Sequence, residues 1–269
     1  MLNRLRVKDF RNYVSADLLL DPSLTVLAGR NAQGKTAILE AVYLLGTGQL
    51  LRGHRDSEAI RDAQPSFRVE GTLSQPESEI AVELARGGRK RALLNGLPLP
   101  RASDLLGRLP CVVFTSADLA IVQGEPSERR LFLDTLLCQV FPGYLRHLAS
   151  YKRAVEQRNA LLRRAQDAWV SEEQFESWEY ELGEHGSSIR KVRERAIKAL
   201  NESAHEAHQE LSTGETLTVT LEPCDDAVEP TALISSLGER RKADIARGTT
   251  SVGPHRDDVG TMVDGKSAR

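Results

Sequence analysis

The sequence predicts an α/β fold in which an antiparallel sheet adjoins a core of strands and helices, with a helical arm inserted between sheet-forming segments. Three observations lead to this prediction. A short apolar run at 24–28 passes through a glycine-bracketed loop into a helical pattern, residues 67–94 alternate polar and apolar side chains, and residues 127–212 change to helical spacing. Sheet patterning resumes at 216–221, which places the helical segment inside the fold.

Length and composition indicate a globular protein of one or two domains. The chain has 269 residues, of which 40% are hydrophobic and 28% charged, and these ordinary values exclude a disordered or coiled-coil-only chain. It lacks an apolar stretch long enough to span a membrane, and Met1–Arg6 alternates polar and apolar residues instead of building a signal-peptide core. We therefore expect a cytosolic protein.

Cysteine content indicates the redox compartment, and net charge constrains how a nucleic acid could bind. Cys111, Cys138 and Cys224 are scattered without metal-ligand spacing, which suits structural thiols in a reducing compartment. The formal net charge is −2, so a nucleic acid would have to meet a local basic surface.

Three strands are predicted before the glycine-bracketed loop. Residues 2–10 and 18–20 form the first two, joined by the polar stretch 11–13, and Leu24–Ala28 forms a buried third strand bounded by Asp21-Pro22 and Gly29. The loop is thus not on the first strand of the chain.

The loop itself has the pattern of a phosphate-binding loop. Its two glycines bracket four residues, and Lys-Thr closes it. Glycine permits backbone angles that turn successive amides toward phosphate oxygens, lysine adds positive charge near the β- and γ-phosphates, and a threonine hydroxyl can ligate magnesium. The predicted nucleotide-binding residues are Gly29, Arg30, Asn31, Ala32, Gln33, Gly34, Lys35 and Thr36, with Thr36 also the magnesium ligand.

A helix follows the loop, ending at Gly46. Its apolar residues recur at helical spacing: Ile38, Leu39, Ala41, Val42 and Leu45. The helix N-terminus points at the nucleotide, where the peptide dipoles favour a bound anion. The cofactors predicted from this loop are ATP and Mg²⁺, but the loop alone does not separate kinases, switches, helicases and motors.

An antiparallel meander is predicted downstream of this helix. Its strands are 67–73 and 80–84, in which polar and apolar residues alternate, and 92–94, which ends at the turn Asn95-Gly96. Residues 111–114 are predicted to form another core strand, followed by the loop 115–118. Two helical seams then indicate an antiparallel arm packed against itself; they are Leu145, Leu148, Lys152, Val155, Asn159 and Leu162, and Phe175, Trp178, Leu182, Ile189, Val192 and Ala196.

Three other groups of residues have a structural and a functional interpretation. His255, Asp257 and Asp258 suggest a metal site, but neighbours on an extended chain point to opposite faces, so a structural turn is favoured. The basic segment 86–91 is either a DNA contact or a solvated hairpin tip. Trp169 and Trp178 are predicted to pack in the core of the arm, because no basic run interleaves with aromatic residues there.

Five segments resemble the RecF family. They are Phe10-Arg11-Asn12-Tyr13, the loop Gly29 to Thr36, Arg129-Arg130-Leu131-Phe132-Leu133-Asp134, Gln157-Arg158-Asn159-Ala160-Leu161-Leu162 and Gly253-Pro254-His255-Arg256-Asp257-Asp258. They follow one another over essentially the whole chain, and the last three are far more specific than the loop.

The resemblance implies an ABC-type P-loop ATPase head like those of the structural-maintenance-of-chromosomes (SMC) proteins, with a helical lid or arm domain. It implies an ATP-dependent DNA-binding homodimer with slow ATP hydrolysis that acts with RecO and RecR to load RecA at gapped DNA, in DNA replication, repair, the response to DNA damage and the SOS response. The implied domains are an ATPase lobe at 1–126, the helical arm at 127–213, and the start of a second lobe at 214–269.

Two departures from the family pattern limit this expectation. The family's Ser-Pro-Glu-Asp-Leu is replaced by Thr115-Ser116-Ala117-Asp118-Leu119, and neither the Ser-Gln-Gly signature nor the apolar strand with the acidic magnesium ligand is present. The nearest imitation of that strand, Leu131–Asp134, is predicted to be a helix face with a solvated aspartate. The resemblance thus implies a C-terminally truncated chain that binds nucleotide weakly without turnover, and we assign no catalytic residue.

Two other functions remain open at this point. A P-loop kinase or transferase would transfer phosphate to a small acceptor. A nucleotide-binding interaction module would bind its partners without turnover.

Overall fold

A computed structural model describes residues 1–53, 55–212 and 214–268. The chain divides into two compact units, Met1–Phe114 and Thr115–Arg269. None of the helices in the described ranges combines the length and the apolar character that a membrane span requires.

The first unit contains a six-stranded antiparallel sheet and one long helix. The strands lie in the order β2-β1-β3-β4-β5-β6, so β3 to β6 form the predicted meander. The turn Asn95-Gly96 between β5 and β6 has φ of 50° and 77°, as its sequence predicts. The elements are β1 (Leu2–Phe10), β2 (Tyr13–Leu19), α1 (Lys35–Thr47), β3 (Ser66–Ser74), β4 (Glu77–Ala85), β5 (Arg91–Leu94) and β6 (Leu97–Pro98), with 3-10 turns at Asp56–Ala59 and Ala102–Leu105.

Alternation along the strands builds the core of this unit. In β3 every second residue from Phe67 to Leu73 is buried, and the opposite face carries ion pairs such as Arg68 with Glu83 at 2.8 Å. Helix α1, which follows the glycine loop, packs its apolar side against the buried face of the sheet. This packing fixes the position of the helix N-terminus. The core includes Leu5, Val7, Phe10, Ile38, Ala41, Leu44, Leu45, Phe67, Val69, Leu73, Ile80, Val82 and Leu105.

Two predicted strands of the first unit are wrong. Segment 24–28 pairs with no strand in the described chain, and Leu24 and Val26 are 73% and 75% exposed. Segment 111–114 likewise forms no strand, with Phe114 88% exposed. Apolar character is visible in a sequence, whereas a strand also needs a neighbouring strand to pair with, and neither segment belongs to a sheet in the described ranges.

The second unit is mainly helical. Its elements are a 3-10 turn at Ser116–Asp118, α2 (Leu119–Gln123), α3 (Pro126–Val140), α4 (Tyr144–Arg164), α5 (Glu172–Leu211), β7 (Leu217–Glu222), α6 (Pro230–Arg247), β8 (Asp258–Val263) and β9 (Lys266–Ser267). The three strands form one antiparallel sheet in the order β7-β8-β9. As predicted, α4 and α5 pack on each other, and α6 packs on both.

The seam of α4 differs from the predicted one by about one residue. Tyr151 and Arg158 are buried where Lys152 and Asn159 were expected, whereas Leu148 and Leu162 are buried as predicted. Arg158 is fully buried because Glu179 of α5 (3.1 Å) and Asp244 of α6 (2.7 Å) neutralise it. The prediction that Trp169 packs in the core of the arm is also wrong, since this side chain is 83% exposed in the turn between α4 and α5.

Candidate functional site: the glycine loop and its cavity

The backbone of the predicted phosphate loop is left-handed at its last glycine. Gly34 has φ 98° and is the N-cap residue of α1, which begins at Lys35. A Cβ at this position would lie 2.6 Å from Tyr13 Cε2 and 2.7 Å from Asn12 Nδ2. Glycine is therefore required both by the backbone angle and by the close approach of the turn after β1.

The lysine of the loop lies across it. Lys35 Nζ donates hydrogen bonds to the backbone oxygens of Gly29 and Arg30, each at 2.7 Å. Among the residues that the structure describes, no side chain caps the N-terminus of α1, and the first turn of the helix carries no acidic residue. The first amides of a helix have no partner within the helix, so this end of α1 offers donors and a positive dipole to an anion.

A cavity of about 810 Å³ opens beside the loop. Five of the eight predicted residues line it, namely Asn31, Ala32, Gly34, Lys35 and Thr36. Gly29 and Arg30 contribute the carbonyls that hold Lys35, and Gln33 accepts a long contact from the Tyr13 hydroxyl at 3.5 Å. The loop and the start of α1 thus form one wall of a cavity large enough for a small-molecule ligand.

Sequence reasoning missed most of the opposite wall. It is formed by Arg11, Asn12, Arg52, Ser57, Glu58, Ile60, Asp62 and Arg86. Arg11 and Asn12 belong to a motif that the sequence did single out. Arg52 follows the loop helix, and from the sequence it is either a nucleotide contact or a surface arginine, so it is not among the predicted site residues. Arg86 belongs to the basic segment 86–91 that the sequence did single out, whereas Asp62 carries no sequence signal, because only the folded chain brings it to the cavity.

Glu40 is a buried residue that positions this wall. Its carboxylate is fully buried on α1 and accepts hydrogen bonds from Arg11 Nε at 2.8 Å and Nη2 at 2.6 Å. The Arg52 amide also donates to Glu40, at 3.1 Å. Helix α1 therefore holds both arginines at the cavity, since a buried carboxylate is stable only when its oxygens are paired.

The helix after the loop is one residue longer than predicted. It continues through Gly46 and ends at Thr47, with Gly48 as the left-handed C-cap. Gly46 thus lies inside the helix. A Cβ at this position would lie 2.4 Å from the sulfur of Cys111, so the close approach of Cys111 requires glycine here.

The basic hairpin at residues 86–91 is largely engaged within the first unit. Lys90 Nζ pairs with Asp56 at 2.8 Å, Arg91 pairs with Glu83 at 3.3 Å, and Arg86 donates to the Gln64 carbonyl at 3.2 Å. These contacts favour the interpretation as a hairpin tip over a DNA contact.

In the second unit, the carboxylates of the segment for which a structural turn was favoured over a metal site pair with different arginines. Asp258 pairs with Arg129 at 2.7 Å, and Asp257 pairs with Arg190 at 2.6 Å. His255 Nδ1 lies 2.7 Å from the Tyr151 hydroxyl, and burial lowers the pKa of His255 to about 4. The structural interpretation of this segment is therefore the better one.

Cys224, Asp225 and Asp257 lie close enough together to hold a metal ion, but Arg190 already uses both carboxylates. Burial favours a raised pKa for Asp225; the hydrogen bond from Arg190 outweighs it and holds the pKa below its usual range. An arginine thus occupies the position that a cation would take.

The prediction that Asp134 is solvated is wrong. Asp134 of α3 is 7% exposed and accepts hydrogen bonds from Arg193 at 2.8 Å and from the Tyr144 hydroxyl at 2.6 Å. Helical spacing shows which residues share a face, but only the packing of α5 on α3 shows that this face is covered.

Comparison with known proteins places the chain in a family. A family model described as an AAA domain matches residues 4–96. The DNA replication and repair protein RecF of Synechocystis sp. is 38% identical over the whole of this chain and 74% of its own length, and that of Gloeobacter violaceus is 39% identical with the same coverage. The chain therefore spans about three quarters of the relatives that it matches.

Solved structures agree with these relatives. The structure titled recombination mediator protein RecF-ATP in the RecFOR pathway matches all of this chain and 74% of its own, with a TM-score of 0.92 and 28% identity. An SMC head domain from Pyrococcus furiosus matches with a TM-score of 0.51 and 17% identity, which shows a shared fold. The fold is that of an ABC-type ATPase head, and the chain belongs to the RecF family of DNA replication and repair proteins.

Proposed function

We propose that this protein binds ATP with Mg²⁺ in the cavity beside the glycine loop and uses the nucleotide to control its binding to DNA. The observation that carries the proposal is the uncapped N-terminus of α1 with Lys35 at its first position, opening on a cavity of about 810 Å³. The RecF-ATP structure, similar over the whole chain, supports ATP as the nucleotide.

In this proposal each group in the loop has a role. The amides of residues 31–36 donate to phosphate oxygens, and Lys35 exchanges the carbonyls of Gly29 and Arg30 for the β- and γ-phosphates. Thr36, exposed at the cavity, ligates Mg²⁺ through its hydroxyl. Arg52, which is exposed and lies 4.0 Å from Glu40, adds positive charge at the cavity, whereas the charge of Arg11 is neutralised by Glu40.

The wider function is proposed from the family. The protein forms an ATP-dependent homodimer on gapped DNA and acts with RecO and RecR in the cytoplasm, consistent with similarity to a structure from the RecFOR pathway. We keep a three-part organisation, with an ATPase lobe at 1–126, a helical arm at 127–213 and the start of a second lobe at 214–269.

Titration with a fluorescent ATP analogue tests the nucleotide site. We expect Lys35→Ala to weaken binding by roughly ten- to a hundredfold, because a hydrogen bond to a charged group contributes about 1.5–3 kcal/mol. Lys8→Ala is the matched control, since Lys8 is an exposed lysine on β1 of the same unit. Equal affinities for both variants would refute the assignment of the loop.

The magnesium ligand is tested separately. Thr36→Val should bind nucleotide with the same affinity with and without Mg²⁺, whereas the unaltered protein should bind more tightly when Mg²⁺ is present. A full magnesium effect in the valine variant would remove Thr36 from the site.

A further inference from the structure

Two of the sequence blocks that are most specific to the family, 129–134 and 253–258, come together in the second unit. Arg129 pairs with Asp258 from the block at 253–258, and Asp134 is paired with Arg193 of α5. Each of these two arginines has a carboxylate partner that neutralises it.

Arg130 is different. Its Nη1 donates to the backbone oxygen of Asp257 at 2.8 Å, and it has no ion pair among the residues that the structure describes. Burial and the neighbouring charges of Arg193 and Arg256 lower the pKa of Arg130 and outweigh the opposite effect of Asp258 and Asp134. The carboxylate partners of Arg129 and Arg193 instead raise the pKa of those two arginines. Arg130 is thus a half-buried cation in surroundings that favour an added negative charge.

This guanidinium lines a cavity of about 320 Å³ between α3, α4 and α5, within the size range of ligand pockets. Lys152, which is exposed, lines it as well. Apolar side chains that include Leu131, Leu148 and Ile189 form much of its wall. The cavity therefore presents cations beside an apolar surface.

The charges on the wall leave an excess of positive charge. Asp134 is already used by Arg193 and by the Tyr144 hydroxyl. Arg130 and Lys152 then remain against the exposed carboxylate of Glu128. A ligand that suits this wall carries an anion of high charge density attached to a flat or apolar body, which describes a nucleotide.

We propose that this cavity binds one nucleotide unit of a DNA strand, with its phosphate on Arg130 and Lys152 and its base on the apolar wall. The proposal rests on the DNA-binding part of the proposed function, and it is separate from the ATP cavity of the first unit.

Binding of a short fluorescein-labelled oligo(dT) to the full chain, measured over a series of salt concentrations, tests the proposal. We expect Lys152→Ala and Arg130→Gln each to weaken binding roughly tenfold. Each should also reduce the slope of log affinity against log salt by about 0.7, the value for one lost phosphate contact on a single strand. Glu128→Gln should strengthen binding, because it removes the opposing carboxylate.

Two controls separate this site from general effects. Arg153→Ala removes an exposed arginine that is next to Lys152 but lines a different cavity, and it should leave both affinity and slope unchanged. Leu131→Ala should weaken binding of oligo(dT) but not of inorganic phosphate. If Arg130→Gln does not fold, Lys152→Ala still tests the proposal, since Lys152 is on the surface.

Each other outcome is decisive. Oligo(dT) binding that is equal in the Lys152, Arg130 and Arg153 variants would overturn this site and leave the proposed DNA function intact. A complete absence of oligo(dT) binding to the unaltered chain would overturn this site, whereas the proposed DNA function would fall only if gapped DNA also failed to bind in the presence of ATP and Mg²⁺. Loss of inorganic phosphate binding in the Lys152 variant with unchanged oligo(dT) binding would identify a free-phosphate site and refute the DNA contact.

Discussion

The guanidinium of Arg11 and the carboxylate of Glu40 form a bidentate ion pair, with nitrogen–oxygen distances of 2.8 and 2.6 Å. Arg11 also donates to the Arg52 carbonyl, and Arg52 donates its amide to Glu40. One buried carboxylate on α1 therefore joins the turn after β1 to the segment after the helix. These are the two segments that place arginines opposite the glycine loop.

Removing the Glu40 carboxylate should destabilise the folded protein. We expect Glu40→Ala to lower the free energy of unfolding by about 3–5 kcal/mol, because it leaves the largely buried Arg11 without its partner. Urea denaturation measures the change. The control is Arg91→Gln, whose guanidinium is exposed and pairs with Glu83 at 3.3 Å, and it should cost no more than about 1 kcal/mol. Equal effects of the two variants would contradict the role given to Glu40.

Gly34 and Gly48 allow a matched test of the loop. Both have a positive φ, 98° and 69°, but a Cβ on Gly48 meets open space whereas one on Gly34 meets Tyr13 and Asn12. Gly48→Ala should cost about 1–2 kcal/mol for the backbone angle alone. Gly34→Ala should cost about 1–3 kcal/mol more from overpacking, and it should also weaken nucleotide binding. Thermal denaturation and nucleotide titration of both variants check this difference.

The buried cluster of the arm should depend most on its central arginine. Arg158 pairs with both Glu179 and Asp244, whereas Arg241 pairs with Glu179 from a more exposed position. We expect Arg158→Met to destabilise the protein by about 3–5 kcal/mol and Arg241→Met to have a clearly smaller effect. The double variant Arg158→Met/Asp244→Leu should recover part of the loss, because it no longer buries an unpaired charge. A double variant as unstable as the sum of its parts would argue against this account.

His255 should make stability depend on pH. Burial holds its folded pKa at about 4, below the value of 6.5 in an unfolded chain. The unfolded state therefore takes up the proton first as pH falls, so the stability contributed by neutral His255 is complete above pH 6.5 and is lost as pH falls toward 4. The full effect is of the order of 3 kcal/mol.

Urea denaturation at a series of pH values measures this dependence. His255→Gln, which cannot titrate, should show a flatter profile than the unaltered protein between pH 6.5 and 4. Parallel profiles of the two proteins would show that His255 is not buried in its neutral form.

The sequence by itself determined the features that depend on spacing along the chain. Strands β1, β3 and β4, the turn at Asn95-Gly96, the loop at 29–36 and the long helices of the arm follow from local periodicity and turn chemistry. Lys35 and Thr36 could be predicted as binding residues for the same reason, since the loop and the helix that hold them are continuous in sequence.

Tertiary structure decided which of these features are paired or covered. Residues 24–28 have the apolar character of a strand, but they belong to no sheet in the described chain, because pairing needs a neighbouring strand that composition cannot supply. Asp134 and Arg158 are buried only because helices far away in sequence bring charges of opposite sign. Trp169 is exposed because the turn between α4 and α5 leaves its indole uncovered. Burial of a polar group depends on a partner from elsewhere in the fold, and that partner is set by packing and not by spacing.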